Sequence, residues 1–313
     1  MKNIVKIFVF IAMFSCDDIL EDDITNDTIL TLTPSQGSLI SGNSVQFSWE
    51  HLNGADSYRI QIQKDNQAIE MDSVVSNTYF NCVLDPGDYQ WRVKGQNFAY
   101  STSYTFPINF SMEASSDLTD QSVVLQSPTQ DLYINTPNTL FSWQSLGEAT
   151  SYSFEIVKNL NGQQLIFEQD QIDTNSIEID QSLFDEDSEY IWKVKGVNST
   201  SETSFFMRSL FIDSTPPLTP ELTTPEDQVS VGTSVTFNWV IGTDSGNVQA
   251  PITHNIQIAT DIDFNSIIHS AEISETTLQY NFSSLGTYYW RVSSLDAAGN
   301  EGDFSTIRSL TVE

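Results

Sequence analysis

The strongest constraint on this chain is that it repeats itself three times. One stretch carries Pro34, Trp49, Tyr58, Tyr89, Trp91 and Val93; a second carries Pro128, Trp143, Tyr152, Tyr190, Trp192 and Val194. A third carries Pro225, Trp239, His254, Tyr288, Trp290 and Val292. From proline to first tryptophan the separations are 15, 15 and 14 residues, and the first tryptophans of successive copies lie 94 and 96 residues apart. A period held this closely means one structural unit used three times, each with its own core. All 6 tryptophans are consumed, two per copy, so none is left over for a separate binding platform.

Inside each copy the apolar residues recur at every second position, as in Val45, Phe47 and Trp49, in Tyr58, Ile60 and Ile62, and in Tyr89, Trp91 and Val93. That is the period of a strand with one face toward a core and one toward water. Turn formers such as Asn53-Gly54, Pro86-Gly87, Asn161-Gly162 and Gly299-Asn300 separate the runs, and no long helical period occurs after Cys16. Short strands and frequent turns in units of this length predict antiparallel sandwiches. The predicted core residues are Trp49, Tyr89, Trp91, Trp143, Tyr190, Trp192, Trp239, Tyr288 and Trp290, and each copy's two tryptophans are expected to meet between its sheets.

The run Leu84-Asp85-Pro86-Gly87-Asp88-Tyr89-Gln90-Trp91-Arg92-Val93, echoed at Leu183 to Val194 and Leu285 to Val292, resembles the sixth strand of fibronectin type III domains. Asp296-Ala297-Ala298-Gly299-Asn300 looks like bacterial members of the same superfamily. The resemblance implies an all-β chain of three tandem antiparallel β-sandwiches of the fibronectin type III/immunoglobulin-like kind, over 29–112, 122–213 and 219–313. It also places Tyr89, Tyr190 and Tyr288 at tyrosine corners, with the ring in the core and the hydroxyl tied back to the chain entering the strand. Glu113 to Gln121 and the proline-rich Ser214 to Pro220 are expected to be linkers, the second short, stiff and extended.

The first 15 residues read differently: Lys2 and Lys6 precede an apolar run from Ile7 to Phe14 that ends at Ser15-Cys16. The run is too short to span a bilayer and fits a secretory signal. A small residue before a cysteine at this place resembles a bacterial lipoprotein signal, which implies a signal peptide over 1–15 and lipid on Cys16. Met13 and Phe14 depart from the family's preferred residues there. Residues 16–28 open with Asp17-Asp18-Ile19-Leu20-Glu21-Asp22-Asp23, an acidic tether too polar to pack. A cluster of this kind resembles the surface-export signal of Bacteroidetes-type lipoproteins. In enteric bacteria an Asp at that place implies inner-membrane retention instead. The localisation expected is a lipid-anchored, surface-exposed protein of the outer membrane.

With 42 acidic and 12 basic residues the net charge is −30, and no basic cluster exists to displace counterions from a phosphate backbone, so nucleic acid is excluded as a partner. Once Cys16 is assigned to lipid, Cys82 stands alone and reads as a small buried hydrophobe. The three histidines, His51, His254 and His269, form no ligand pair, and neither Asp185 to Glu189 nor Asp261 to Asp263 completes a calcium loop. No catalytic motif, metal spacing or cofactor fingerprint is present, so no catalytic residue, metal or cofactor is expected.

Aromatic residues exceed what the repeat requires at one place, Asn97-Phe98-Ala99-Tyr100-Ser101. Phe98 and Tyr100 either begin the last strand, where Tyr104, Phe106, Ile108 and Phe110 alternate toward the core, or form a recognition loop. The function expected is that of a non-enzymatic cell-surface lipoprotein acting as an adhesion, binding or spacer module, its partner an extracellular protein or glycan and its only membrane contact the lipid on Cys16. The alternative is a glycan-binding accessory lipoprotein of an outer-membrane polysaccharide uptake system. Exposure of Phe98 and Tyr100 separates glycan capture from a plain spacer.

Overall fold

A computed structural model describes residues 21–313 except Asp65, Asn138 and Thr139. The expected signal peptide, Cys16 and the first residues of the expected tether lie outside the described residues; the rest of the tether does pack, because its apolar Ile24 is buried and Asp22 O accepts from the Asn97 amide. The chain divides into two compact units, Met1–Ser115 and Ser116–Glu313. The first holds one β-sandwich and the second holds two.

In the first sandwich, β1 (Thr31–Thr33), β3 (Ser44–Trp49) and β6 (Tyr79–Val83) form a three-stranded sheet in the order β1-β3-β6. Facing it, β2 (Ser38–Ser41), β8 (Ile108–Glu113), β7 (Gly87–Gln96), β4 (Ser57–Lys64) and β5 (Ile69–Val75) form a five-stranded sheet in that order. The second sandwich repeats the plan with β9 (Leu125–Ser127), β10 (Leu132–Ile134), β11 (Leu140–Trp143), β12 (Ser151–Asn159), β13 (Gln163–Ile172), β14 (Ser176–Glu178), β15 (Ser188–Val197) and β16 (Phe206–Ile212). The third uses β17 (Glu221–Thr224), β18 (Val229–Val231), β19 (Ser234–Val240), β20 (Ile252–Ala259), β21 (Ile267–Ile273), β22 (Thr277–Asn281), β23 (Gly286–Asp296) and β24 (Arg308–Val312). Among the described residues the one helical element is a single 3-10 turn, Gln181–Leu183. The protein is thus all-β, three sandwiches of the fibronectin type III/immunoglobulin-like kind.

One pairing per sandwich is parallel: β2 with β8, β10 with β16 and β18 with β24. The repeated proline explains it. Pro34, Pro128 and Pro225, each after a cis peptide bond, end the first strand of the small sheet. The chain then crosses to the large sheet and runs beside the last strand. The carbonyl of that proline is a donor's target in every copy. Trp91 Nε1 donates to Pro34 O at 3.1 Å, whereas Arg208 donates to Pro128 O and Arg308 to Pro225 O. Arg208 and Arg308 sit opposite Trp192 and Trp290, where the first sandwich has Ile108 opposite Trp91.

The nine predicted core residues are all buried. Alternate side chains of β4, β7, β12, β15 and β23, such as Tyr58, Ile60 and Ile62 or Tyr89, Trp91 and Val93, point into one of three separate apolar clusters. The tyrosine hydroxyls donate four residues back, Tyr89 to Asp85 O, Tyr190 to Glu186 O and Tyr288 to Ser284 O, at 2.8, 2.8 and 2.9 Å. The tryptophan pairs follow the expectation in the first sandwich, where the rings of Trp49 and Trp91 lie 6.4 Å apart. In the second, Phe154 stands between Trp143 and Trp192 at 6.2 and 6.3 Å. In the third, Trp239 packs on His254 and Trp290 on Phe237.

The predicted linkers are seated against the modules. Leu118 is buried in the second sandwich's core. The amide of Ser214 and the hydroxyls of Ser214 and Thr215 donate to the Asp187 carboxylate, and the Leu218 amide donates to Thr243 O. Residues 214–220 are therefore a docked strap, tied to neighbouring loops through Ser214, Thr215 and the Leu218 amide.

Candidate functional site

Phe98 and Tyr100 do not begin the last strand. They lie on the loop after β7, and β8 starts only at Ile108. Phe98 is 94% exposed and Tyr100 40%. Of the residues expected to alternate toward the core, Phe110 is buried, while Phe106 is 93% exposed and Tyr104 lies over the Arg92 guanidinium at 4.4 Å. That cation–aromatic contact recurs as Phe205 on Lys195 and Phe304 on Arg291. The first aromatic of this stretch therefore belongs to the fold's outer face, where each ring shields a basic side chain of the neighbouring strand.

The loop that carries Phe98 is held from within. The Asn97 side-chain oxygen accepts from the amides of Ala99 and Tyr100 at 3.2 and 2.7 Å, and its amide donates to Asp22 O and Gly54 O at 2.9 and 2.8 Å. Asn198 does the same in the second sandwich, accepting from Thr200 and Ser201 and donating to Ser116 O and Glu148 O. There the loop carries Asn198-Ser199-Thr200-Ser201, without aromatics. The loop geometry thus needs the asparagine and not the ring, so Phe98 is surplus to the fold. A groove of about 550 Å³ near the same sandwich is lined by Ile29, Leu30, Gln36, Tyr104, Phe106 and Ile108 among others.

The acidic turns weighed from sequence have ordinary partners. Asp185 and Glu186 pair with Lys158 Nζ at 3.0 and 2.6 Å, so the lysine's pKa rises and that of Asp185 falls. Asp261 accepts from the amides of Asn265 and Ser266, which lower its pKa. A different acidic group went unseen in the sequence. Asp213, Asp244 and Asp296 offer carboxylate oxygens that all lie within 4.8 Å of one another. They sit after β16, in the β19–β20 connection and at the end of β23, so no local spacing announces them. Asp213 is 0% exposed and Asp296 4%. Burial raises the Asp213 pKa, against the amides of Thr215 and Ala250 that lower it, and Asp244 and Asp296 add to the rise.

No family model and no curated protein matches the chain. Among solved structures, the chicken CNTN1 FN1-FN3 domains are 14% identical and match over 91% of this chain and 98% of that one, with a TM-score of 0.46. Trypsin-activated alpha-2-macroglobulin from Escherichia coli is 11% identical over 94% of this chain and 24% of that one, with a TM-score of 0.28. At such values neither likeness carries a functional argument.

Proposed function

We propose that this chain is a non-enzymatic binding protein of the cell envelope, tethered through lipid on Cys16 and engaging an extracellular protein or glycan through the Asn97–Ser101 loop of its first sandwich. The observation that carries this reading is Phe98, 94% exposed on a loop whose backbone Asn97 fixes. A ring displayed on a pre-ordered loop buries large area on contact while freezing few rotors.

Exposure of this ring favours, as the more specific form of the proposal, glycan capture in an outer-membrane polysaccharide uptake system, with aromatic faces stacking on sugar rings. The experiment is a glycan array and a pull-down with the parent chain and with a Phe98→Ala/Tyr100→Ala double variant. Binding that disappears in the folded variant supports the loop as the recognition surface. Binding that persists moves recognition elsewhere, and no ligand on either platform leaves a spacer as the better reading.

A further inference from the structure

In the first two sandwiches one corner is closed by an amide. Asn97, six residues after Trp91, donates to a carbonyl before the sandwich (Asp22) and to one in the β3–β4 connection (Gly54). Asn198, six after Trp192, donates likewise to Ser116 and Glu148. The third sandwich keeps the geometry and reverses the chemistry. Six residues after Trp290 stands Asp296, and the segments that supplied the two carbonyls now supply Asp213 and Asp244. Where two copies place a hydrogen-bond donor between acceptors, the third places three carboxylates.

Neighbouring groups cover only part of this. Asn300 replaces one tie, its amide donating to Asp213 O at 2.8 Å and to Asp296 Oδ2 at 2.9 Å, and its backbone amide donates to Asp296 Oδ1. Asp213 accepts from the Thr215 and Ala250 amides, and Asp244 Oδ1 from the Ser245 and Gly246 amides. Asp244 Oδ2 is sealed from solvent and has no hydrogen-bond partner. Among the described residues no ion pair links any of the three to a basic side chain. Neutral amides satisfy lone pairs without neutralising charge, and two buried carboxylates beside a third are costly unless a proton is taken up or a cation joins them.

We propose that Asp213, Asp244 and Asp296 bind one hard divalent cation of the calcium class at the joint between the second and third sandwiches. Clustered carboxylates with several oxygens and no nitrogen or sulfur ligand suit such an ion. The site belongs to the joint because Asp213 directly follows β16 of one sandwich, whereas Asp244 and Asp296 stand on the other. The loop after Asp296 also reaches back, Ala298 O accepting from the Asn135 amide at 3.1 Å. The cation therefore fixes the second and third sandwiches to each other.

The test is calorimetric titration of the whole chain, freed of metal by chelation, with calcium chloride. Variants are Asp296→Asn, which installs the residue the other copies use, Asp244→Asn, and Asp261→Asn as a control in an unrelated acidic turn. The expected result is one saturable site, with Kd on the order of 10⁻⁴ M, weakened tenfold or more by the first two variants and untouched by the control. Calcium at about a hundred times Kd should also raise the parent's Tm by roughly 5–10 °C relative to chelator. A parent whose Tm ignores calcium, or a titration equal in parent, Asp296→Asn and Asp244→Asn, overturns the proposal; the parent measurement stands even if a variant fails to fold.

Discussion

His254 on β20 lies directly opposite Ser294 on β23, and neither imidazole nitrogen nor the serine hydroxyl has a hydrogen-bond partner. The other copies place tyrosines here, and the hydroxyls of Tyr58 and Tyr152 accept from the amides of Leu52 and Leu146 at 2.8 and 2.7 Å. In those copies the leucine also fills the space over a glycine, Leu52 on Gly95 and Leu146 on Gly196. The third copy inverts the sizes, with Gly242 in the leucine's place and Ser294 in the glycine's.

This arrangement sets an acid sensitivity. Burial lowers the His254 pKa, so the folded state resists a proton that the unfolded chain takes up near pH 6.5. The stability at stake is present above that pH and is lost as pH falls below it toward the depressed folded value. Denaturant unfolding of the third sandwich between pH 7 and 5 should show stability falling by up to about 1.4 kcal/mol per pH unit. A His254→Phe variant should remove that component, and an unchanged slope in the variant would assign the loss to other groups.

The small residues of the third sandwich serve the strap. A Cβ on Gly242 would collide with the Leu218 carbonyl, and one on Gly302 with the Pro217 carbonyl. Gly242→Ala or Gly302→Ala should therefore cost about 1–3 kcal/mol by overpacking and open residues 214–220 to protease. Gly232→Ala, with nothing within 4 Å, should stay within about 0.5 kcal/mol of the parent. Thermal unfolding and limited proteolysis read both effects.

Core and loop aromatics should separate cleanly in the first sandwich. Trp91 is fully buried and its indole holds Pro34 O, so Trp91→Ala should cost about 3–5 kcal/mol in denaturant unfolding. Phe98→Ala, on the exposed loop, should change stability by less than about 0.5 kcal/mol. A large loss from the second substitution would mean that the ring has a structural duty, and would undercut its assignment to recognition.

Burial pushes the Cys82 thiol up to about 12, so almost none is thiolate at pH 8. In a Cys16→Ser background, where Cys82 is the sole thiol, a thiol reagent should react on the order of 10³ times more slowly with folded than with denatured protein. Equal rates would show that the β3–β6 sheet opens readily at this strand.

The sequence by itself determined three sandwiches, their strands, their tyrosine corners and their buried tryptophans, because strand alternation and a repeated core are local patterns that survive without knowledge of distant partners. It also marked Phe98 and Tyr100 as surplus, although only the folded loop separates an outward ring from the start of a strand. Other features were decided by tertiary structure alone. Phe154 parts Trp143 from Trp192, a consequence of side-chain volume in one particular core. Pro217 and Leu218 fit against Gly302 and Gly242, residues that no local pattern singles out. Asp213, Asp244 and Asp296 come from three separate segments and lack any motif spacing. Their convergence is produced by the packing of one sandwich's exit against the next one's loops, and like charges are brought together by folding energy that no local pattern records.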